Sequence, residues 1–245
     1  MKKISFLLFA LIATIGAKAQ TNLQVMYDFG SDRKQITTTF EMFKTDKWGD
    51  TFFFIDHEFG KNVKDDYPGY DRSFPSGTYF EIARGLNFWQ NTKWAPLSAH
   101  VEYNGGVYRG FGVNNAWLFG ANYFIHSKDY KNTLTLEVLY KTIQKKDQDV
   151  PMQFTVVWGV KDIFGVKRLN FSGFADFWWE DHWAGANYDI KKSTTFITEP
   201  QLWYQLGDLF GCPNLNVGGE VEISNNFGTY DGWKCNPCLG LKWDF

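Results

Sequence analysis

Eight carboxylates fall on the polar parity of segments in which apolar and polar residues alternate: Glu41, Glu81, Glu102, Glu137, Asp176, Glu199, Glu220 and Glu222. On the strands of a closed sheet this parity aims all eight at one interior, against few bases such as Lys141 and Lys242. Carboxylates confined in a low-dielectric wall focus negative potential, which disfavours anions and suits neutral or cationic solutes. The competing reading of any single Glu is a side chain that only hydrogen-bonds across strands. Asn104, on the parity of Glu102, joins the set, and the inward aromatics Phe174, Trp178 and Trp203 either stack on a planar solute or fill a narrow interior.

Other combinations carry less. Glu220 and Glu222 lie about 6.6 Å apart along a strand, loosely compatible with glycoside hydrolysis, but such a pair is common on an alternating strand. Asp65-Asp66-Tyr67, Asp46 and Asp50 lack the ordered spacing of a Ca²⁺ loop and read as solvated turns. Cys235 and Cys238 form a C-x-x-C, yet on a strand they point to opposite faces, and Cys212 leaves an odd count. No G-x-S-x-G, H-E-x-x-H or P-loop occurs, so no catalytic residue, metal ligand or cofactor site is assigned. Arg84 is out of place: its parity with Phe80, Ile82, Leu86 and Phe88 aims it outward, which in lipid costs roughly 2–4 kcal/mol near the midplane. A bulge that turns it inward, toward Glu81 or Glu102, is the expected remedy.

The elements that must position these residues are strands. Leu23, Val25, Tyr27 and Phe29 oppose Gln24 and Asp28; Leu97, Ala99, Val101 and Tyr103 oppose Ser98, His100, Glu102 and Asn104. Leu134 to Tyr140, Met152 to Trp158, Leu169 to Trp179, Leu215 to Ile223 and Leu239 to Phe245 repeat the pattern, and less regular segments run Arg33 to Phe43, Thr51 to Phe59, Thr78 to Phe88, Asn115 to Ile125 and Thr194 to Leu206. Leu136, Leu139, Tyr140 and Ile143 could also share a helical face, but the Thr-Leu-Thr-Leu-Glu-Val alternation at 133–138 favours strand. Twelve segments in all leave no room for crossover helices and predict antiparallel hairpins. Short turns are expected at 44–50, 89–95, 126–131, 161–167 and 207–213, and longer loops at 60–77, 104–114, 142–150, 181–193 and 225–233; the connection at 30–34 is short for the second set.

Composition narrows the solvent. The chain has 245 residues, 27 acidic against 25 basic side chains, and 24 Phe, 12 Tyr and 11 Trp. It is neither disordered nor a cysteine scaffold, and without a basic stripe it has no electrostatic footprint for a nucleic acid. Lys2-Lys3, an apolar run from Ile4 to Gly16 and Ala17-Lys18-Ala19 read as a secretory signal peptide over 1–19, leaving residues 20–245 as one domain. No later stretch is long and apolar enough for a membrane helix, whereas the aromatic excess suits the girdles of a membrane barrel.

The chain resembles the nucleoside-specific channel-forming (Tsx-like) outer-membrane proteins, in particular a functionally uncharacterised branch. The likeness lies in Tyr27-Asp28-Phe29-Gly30, Lys47-Trp48-Gly49-Asp50 with Phe52-Phe53-Phe54, Glu81-Ile82-Ala83-Arg84, Glu102-Tyr103-Asn104-Gly105-Gly106, Gly173-Phe174-Ala175-Asp176-Phe177-Trp178, Glu199-Pro200-Gln201 and Gly219-Glu220-Val221-Glu222-Ile223-Ser224-Asn225-Asn226. The resemblance implies a twelve-stranded outer-membrane barrel whose narrow lumen is lined by aromatic and ionisable side chains, and whose terminal aromatic strand is read by the barrel-assembly machinery. It carries no nucleoside motif residue by residue.

The expectation is therefore an all-β, antiparallel transmembrane β-barrel of about twelve strands with short periplasmic turns and longer extracellular loops. It would lie in the outer-membrane lipid bilayer and passively conduct a small polar solute, a nucleoside being the case the resemblance suggests. The expected lining is Glu41, Glu81, Arg84, Glu102, Asn104, Glu137, Asp176, Trp178, Glu199, Glu220 and Glu222. The alternatives are a plugged structural or interaction barrel, and a secreted β-sandwich enzyme or sugar binder.

Overall fold

The computed structural model of the protein describes residues 19–31, 33–60, 75–108 and 111–245. The leader expected over 1–19 lies, but for Ala19, outside the described residues, as do Asp65-Asp66-Tyr67. The first strands are β1 (Ala19–Asp28), β2 (Ile36–Asp46), β3 (Gly49–Phe59), β4 (Gly77–Leu86), β5 (Leu97–Tyr108), β6 (Phe111–His126) and β7 (Asn132–Ile143). They continue with β8 (Met152–Val160), β9 (Leu169–Ala184), β10 (Ile190–Thr198), β11 (Gln201–Gln205), β12 (Leu215–Asn225) and β13 (Trp233–Asp244). A helical turn α1 (Gly207–Phe210) precedes β12.

Each strand from β1 to β9 pairs antiparallel with the next, and β1 also pairs with β13, from Asn22 opposite Asp244 to Asp28 opposite Cys238, so the sheet closes on itself. The thirteen strands fill twelve positions, because β10 and β11 both lie between β9 and β12. Pro200 breaks the ladder there: it has no N–H to donate, yet Thr198 opposite Ala175 and Gln201 opposite Ser172 keep one register across the gap. The twelve segments of the sequence are thus twelve barrel positions, and 133–143 is strand β7.

The exterior is apolar. Leu23, Val25, Ile82, Phe119, Leu136, Val138, Tyr140, Phe154, Leu239 and Leu241 all point away from the barrel and are exposed. A surface of this kind needs a hydrocarbon solvent, which makes this a transmembrane barrel. Among the described residues no helix is long and apolar enough to cross a membrane.

Two expectations change. The loop placed at 104–114 is strand for most of its length: β5 reaches Tyr108, β6 begins at Phe111, and a register shift between Asn104 and Gly106 absorbs the irregularity. Gly106 serves packing there, since a Cβ would lie 2.3 Å from the Thr78 carbonyl oxygen on β4. Arg84 is not turned inward. Pairing through it is regular, with Thr51 on one side and Val101 on the other, and it keeps the outward parity of Ile82. It lies two residues from the end of β4, where Nη2 donates to Asp46 Oδ1 at 2.8 Å and Nη1 to Thr51 Oγ1 at 2.8 Å. Proximity to the turn removes the need for a bulge, because the cost of an outward charge falls steeply away from the midplane.

Inside, residues of very different size share one layer. Trp203 on β11, Gly218 on β12, Gly240 on β13 and Met26 on β1 are successive cross-strand neighbours, so two glycines lie between two large side chains. A Cβ on Gly218 would come 2.9 Å from the Trp203 ring and 2.0 Å from the Leu202 carbonyl oxygen. The interior therefore fits Trp203 only while that wall stays bare.

Candidate functional site

The inward carboxylates divide between two walls. On the first, β5 presents His100, Glu102 and Asn104 at successive inward positions, flanked by Tyr79 and Glu81 on β4, with Glu137 and Lys141 on β7 beyond the intervening β6. Asn104 joins two acids: Nδ2 donates to Glu81 Oε1 at 3.3 Å and to Glu102 Oε1 at 3.2 Å. Tyr79 Oη donates to Glu81 Oε1 at 2.6 Å. His100 stands between carboxylates, with Nε2 3.1 Å from Glu102 Oε2 and Nδ1 3.8 Å from Glu137 Oε1. His100, Glu102 and Glu137 bring one ligating atom each within 4.8 Å of one another, a donor set that a divalent transition metal accepts.

Beside them β8 and β9 contribute Gln153, Thr155, Asp176, Trp178 and Glu180. Gln153 is the cross-strand neighbour of Trp178, and Thr155 that of Asp176. Thr155 Oγ1 donates to Asp176 Oδ1 at 2.6 Å, and Trp178 Nε1 donates to Glu180 Oε2 at 3.1 Å. The Lys141 ammonium donates to Gln153 Oε1 at 2.7 Å and stands 3.9 Å from the Trp178 ring centroid. Trp178 is therefore not an open stacking surface: one face carries an ammonium and the residue is only 6% exposed.

The second wall lies around the seam between β1 and β13. Asn22 Nδ2 donates to Glu41 Oε1 at 3.0 Å, Gln201 Nε2 to Glu220 Oε2 at 3.0 Å, and Trp203 Nε1 to Gln201 Oε1 at 2.9 Å. Lys242 Nζ lies 4.7 Å from the Trp203 ring centroid. Glu222 receives Arg33 at two points and Asn236 Nδ2 at 3.1 Å, so both members of the Glu220–Glu222 pair carry side-chain partners. Burial works against the charge of Arg33, but Glu222 and Asp28 more than offset it and raise its pKa above the usual guanidinium value. Glu199, on the strand position interrupted at Pro200, shares the parity of Gln201.

Of the residues expected from sequence, Glu81, Glu102, Asn104, Glu137, Asp176 and Trp178 lie on the first wall, and Glu41, Glu199, Glu220 and Glu222 on the second. Arg84 belongs to neither. Sequence reasoning missed Arg33, which sits in a connection where parity has no meaning, and Asp56, inward beside the Thr39 hydroxyl in a segment whose Phe52-Phe53-Phe54 run hides the alternation. It also missed that Leu118 and Leu139 face inward, where they are 0% exposed; Trp203, expected inward, is 0% exposed as well. Cys235 is exposed and Cys238 buried, on opposite faces of β13, and with Cys212 all three thiols are free.

A family model described as a Domain of unknown function (DUF5020) matches residues 19–245. No curated protein matches the sequence. Among solved structures the chain is similar to the NanC porin, at 8% identity over 92% of this chain and 100% of that one, with a TM-score of 0.56. It is also similar to the KdgM porin in complex with disordered oligogalacturonate, at 9% identity over 92% of this chain and 99% of that one, with a TM-score of 0.49. The fold is that of a porin-like barrel.

Proposed function

The chain belongs to the DUF5020 family, and from that premise, which brings a fold but no activity, we propose that it is an outer-membrane channel passively conducting small polar solutes, neutral or cationic in preference to anionic. One observation carries the reading: a closed barrel with an apolar exterior turns Glu41, Glu81, Glu102, Glu137, Asp176, Glu199, Glu220 and Glu222 inward, against Lys141, Lys242 and Arg33 as the bases named on its two walls. In a narrow, low-dielectric pore that imbalance attracts cations and repels anions. On this reading residues 1–19 direct export, and the barrel-assembly machinery and the lipid bilayer are the partners that place the chain.

Planar-bilayer recordings of the refolded protein under a salt gradient test the proposal. A reversal potential of the sign for cation permeation is expected, and anion selectivity would overturn it. The finer reading, a nucleoside channel, is supported by the sequence resemblance; in proteoliposomes it predicts faster uptake of a nucleoside than of a sugar of similar size.

A second reading has its own observation. Trp203, Leu118 and Leu139 point inward yet are 0% exposed, and Gln24 and Asn216 are only 2% exposed. A lumen filled to that degree suits a plugged barrel whose loops are its working surface. Absence of conductance from correctly folded protein would favour it.

A further inference from the structure

We infer that His100, Glu102 and Glu137 form a binding site for one divalent transition-metal ion of the Zn²⁺ kind, held on the inner face between β5 and β7. Each side chain offers one ligating atom, and the three atoms lie within 4.8 Å of one another. An imidazole with two carboxylates is a three-ligand set that suits such an ion and leaves a position for water. The three residues are 8%, 9% and 9% exposed, so the ion would sit inside the wall rather than on a surface. The site stands independently of whether the barrel conducts.

Glu137 supplies an observation separate from the clustering. Its carboxylate accepts no hydrogen bond from any described residue, and the donors on either side of it are turned elsewhere. Asn122, its cross-strand neighbour on β6, brings Nδ2 to 3.4 Å from His100 Nδ1, and Thr155, its neighbour on β8, donates to Asp176. What faces Glu137 is the imidazole, with Nδ1 3.8 Å from Oε1, beyond hydrogen-bond reach. A buried carboxylate left without a donor is costly, and a cation between it and the ring removes that cost.

The imidazole points to the same place. Nε2 faces Glu102 at 3.1 Å and Nδ1 faces Glu137, but a neutral ring can donate from only one nitrogen, so its lone pair is turned toward the other acid. Either a second proton or a cation resolves that conflict. The Asn122 amide directed at Nδ1 opposes a proton there, which favours the cation. Supporting contacts are in place. Asn104 holds Glu102 Oε1 at 3.2 Å and leaves Oε2 for the site, as the outer partners of a metal ligand do. Gly120, the neighbour of His100 on β6, has no side chain, so nothing from that strand stands between the ring and β7. The second wall lacks this chemistry: Glu222 is occupied by Arg33, and Glu220 by Gln201.

The test is calorimetric titration of Zn²⁺ into the folded, detergent-solubilised barrel, prepared without an affinity tag and stripped with a chelator. Wild type should bind one ion saturably, Mg²⁺ should not compete, and the unfolding temperature should rise with Zn²⁺. Glu137→Gln should weaken binding by more than about tenfold, a loss that even outer partners of a metal produce. Cys235→Ser with His126→Gln removes an exposed thiol and an exposed imidazole outside the site and should leave the affinity unchanged. Absent or unsaturable binding, equal affinity in Glu137→Gln, or a loss in the Cys235–His126 pair overturns the inference and leaves His100 as an imidazolium between two acids. If Glu137→Gln does not fold, the Co²⁺ spectrum of the wild type decides. A visible ligand-field band without thiolate charge-transfer absorption upholds the site; a thiolate band, or no band, rejects it.

Discussion

Arg33 and Glu222, 189 positions apart in the chain, meet in a two-point ion pair, Nη1 to Oε2 at 2.7 Å and Nη2 to Oε1 at 2.9 Å. The pair ties the β1–β2 connection to β12 across β13, the strand through which the barrel closes. Arg33 also reaches Asp28 on β1 at 3.4 Å, so one guanidinium holds strands from both ends of the sequence. Arg33→Met should leave Glu222 with Asn236 and Ser224 as its side-chain donors among the described residues and destabilise the barrel by about 1–3 kcal/mol, less than a fully buried pair because Arg33 is partly exposed. Urea unfolding followed by tryptophan fluorescence reads this. The double variant Arg33→Met with Glu222→Gln should recover part of the loss, since no uncompensated charge then remains.

Arg84 makes the opposite prediction. It faces outward at the turn end of β4 and bonds Asp46 and Thr51, so it touches neither wall of the interior. Arg84→Gln should leave the reversal potential of the channel unchanged, whereas a lumen-facing guanidinium would make cation selectivity rise on its removal. A shift in selectivity would mean that the outward placement is wrong.

Glycine at 218 is a condition for the inward Trp203. Gly218→Ala would set a methyl 2.0 Å from the Leu202 carbonyl oxygen and 2.9 Å from the Trp203 ring, forcing two strands apart, with an expected loss of about 1–3 kcal/mol. Gly112→Ala is the matched control: a Cβ there meets nothing within 4 Å, so it should change stability by no more than about 0.5 kcal/mol. Equal unfolding midpoints for the two variants would show that the wall at Gly218 is not tight.

These cases also show what the sequence could and could not carry. Period-two alternation made twelve positions legible, because each strand faces two different solvents and a one-residue slip would exchange them. It placed Glu102 and Asn104 on one face without any knowledge of their partners. It failed where the pattern depends on a third party. Arg84 breaks the apolar parity but is rescued by Asp46, and Gly105-Gly106 looks like a turn although close approach to β4 is what requires the glycine at 106. Leu118 and Leu139 are the hardest case, since apolar residues on the polar parity read as noise until both are seen with Ala116 in one cluster. Trp178 was legible as inward, but which group covers its face depends on Lys141 arriving from another strand.

The two walls should contribute separately to selectivity. Glu81 and Glu102 share Asn104, so they act on one stretch of the lumen. Glu220 lies on the second wall beside Gln201, so the three acids fall in two patches. Glu81→Gln with Glu102→Gln should lower the cation-to-anion permeability ratio, because Asn104 and Tyr79 can still donate to the amide oxygens and the wall keeps its shape while losing charge. Glu220→Gln should lower it independently, and the three together should approach the sum of the two effects in free energy, as groups without shared partners do. Raising salt should shrink every difference, since screening weakens the field of carboxylates in a wet lumen. Reversal potentials of the four proteins in planar bilayers, at low and high salt, measure this. A double Gln variant with wild-type selectivity would remove the first wall from the conduction path. A triple variant no different from the double would remove the second, leaving its acids the structural role of holding the β1–β13 seam.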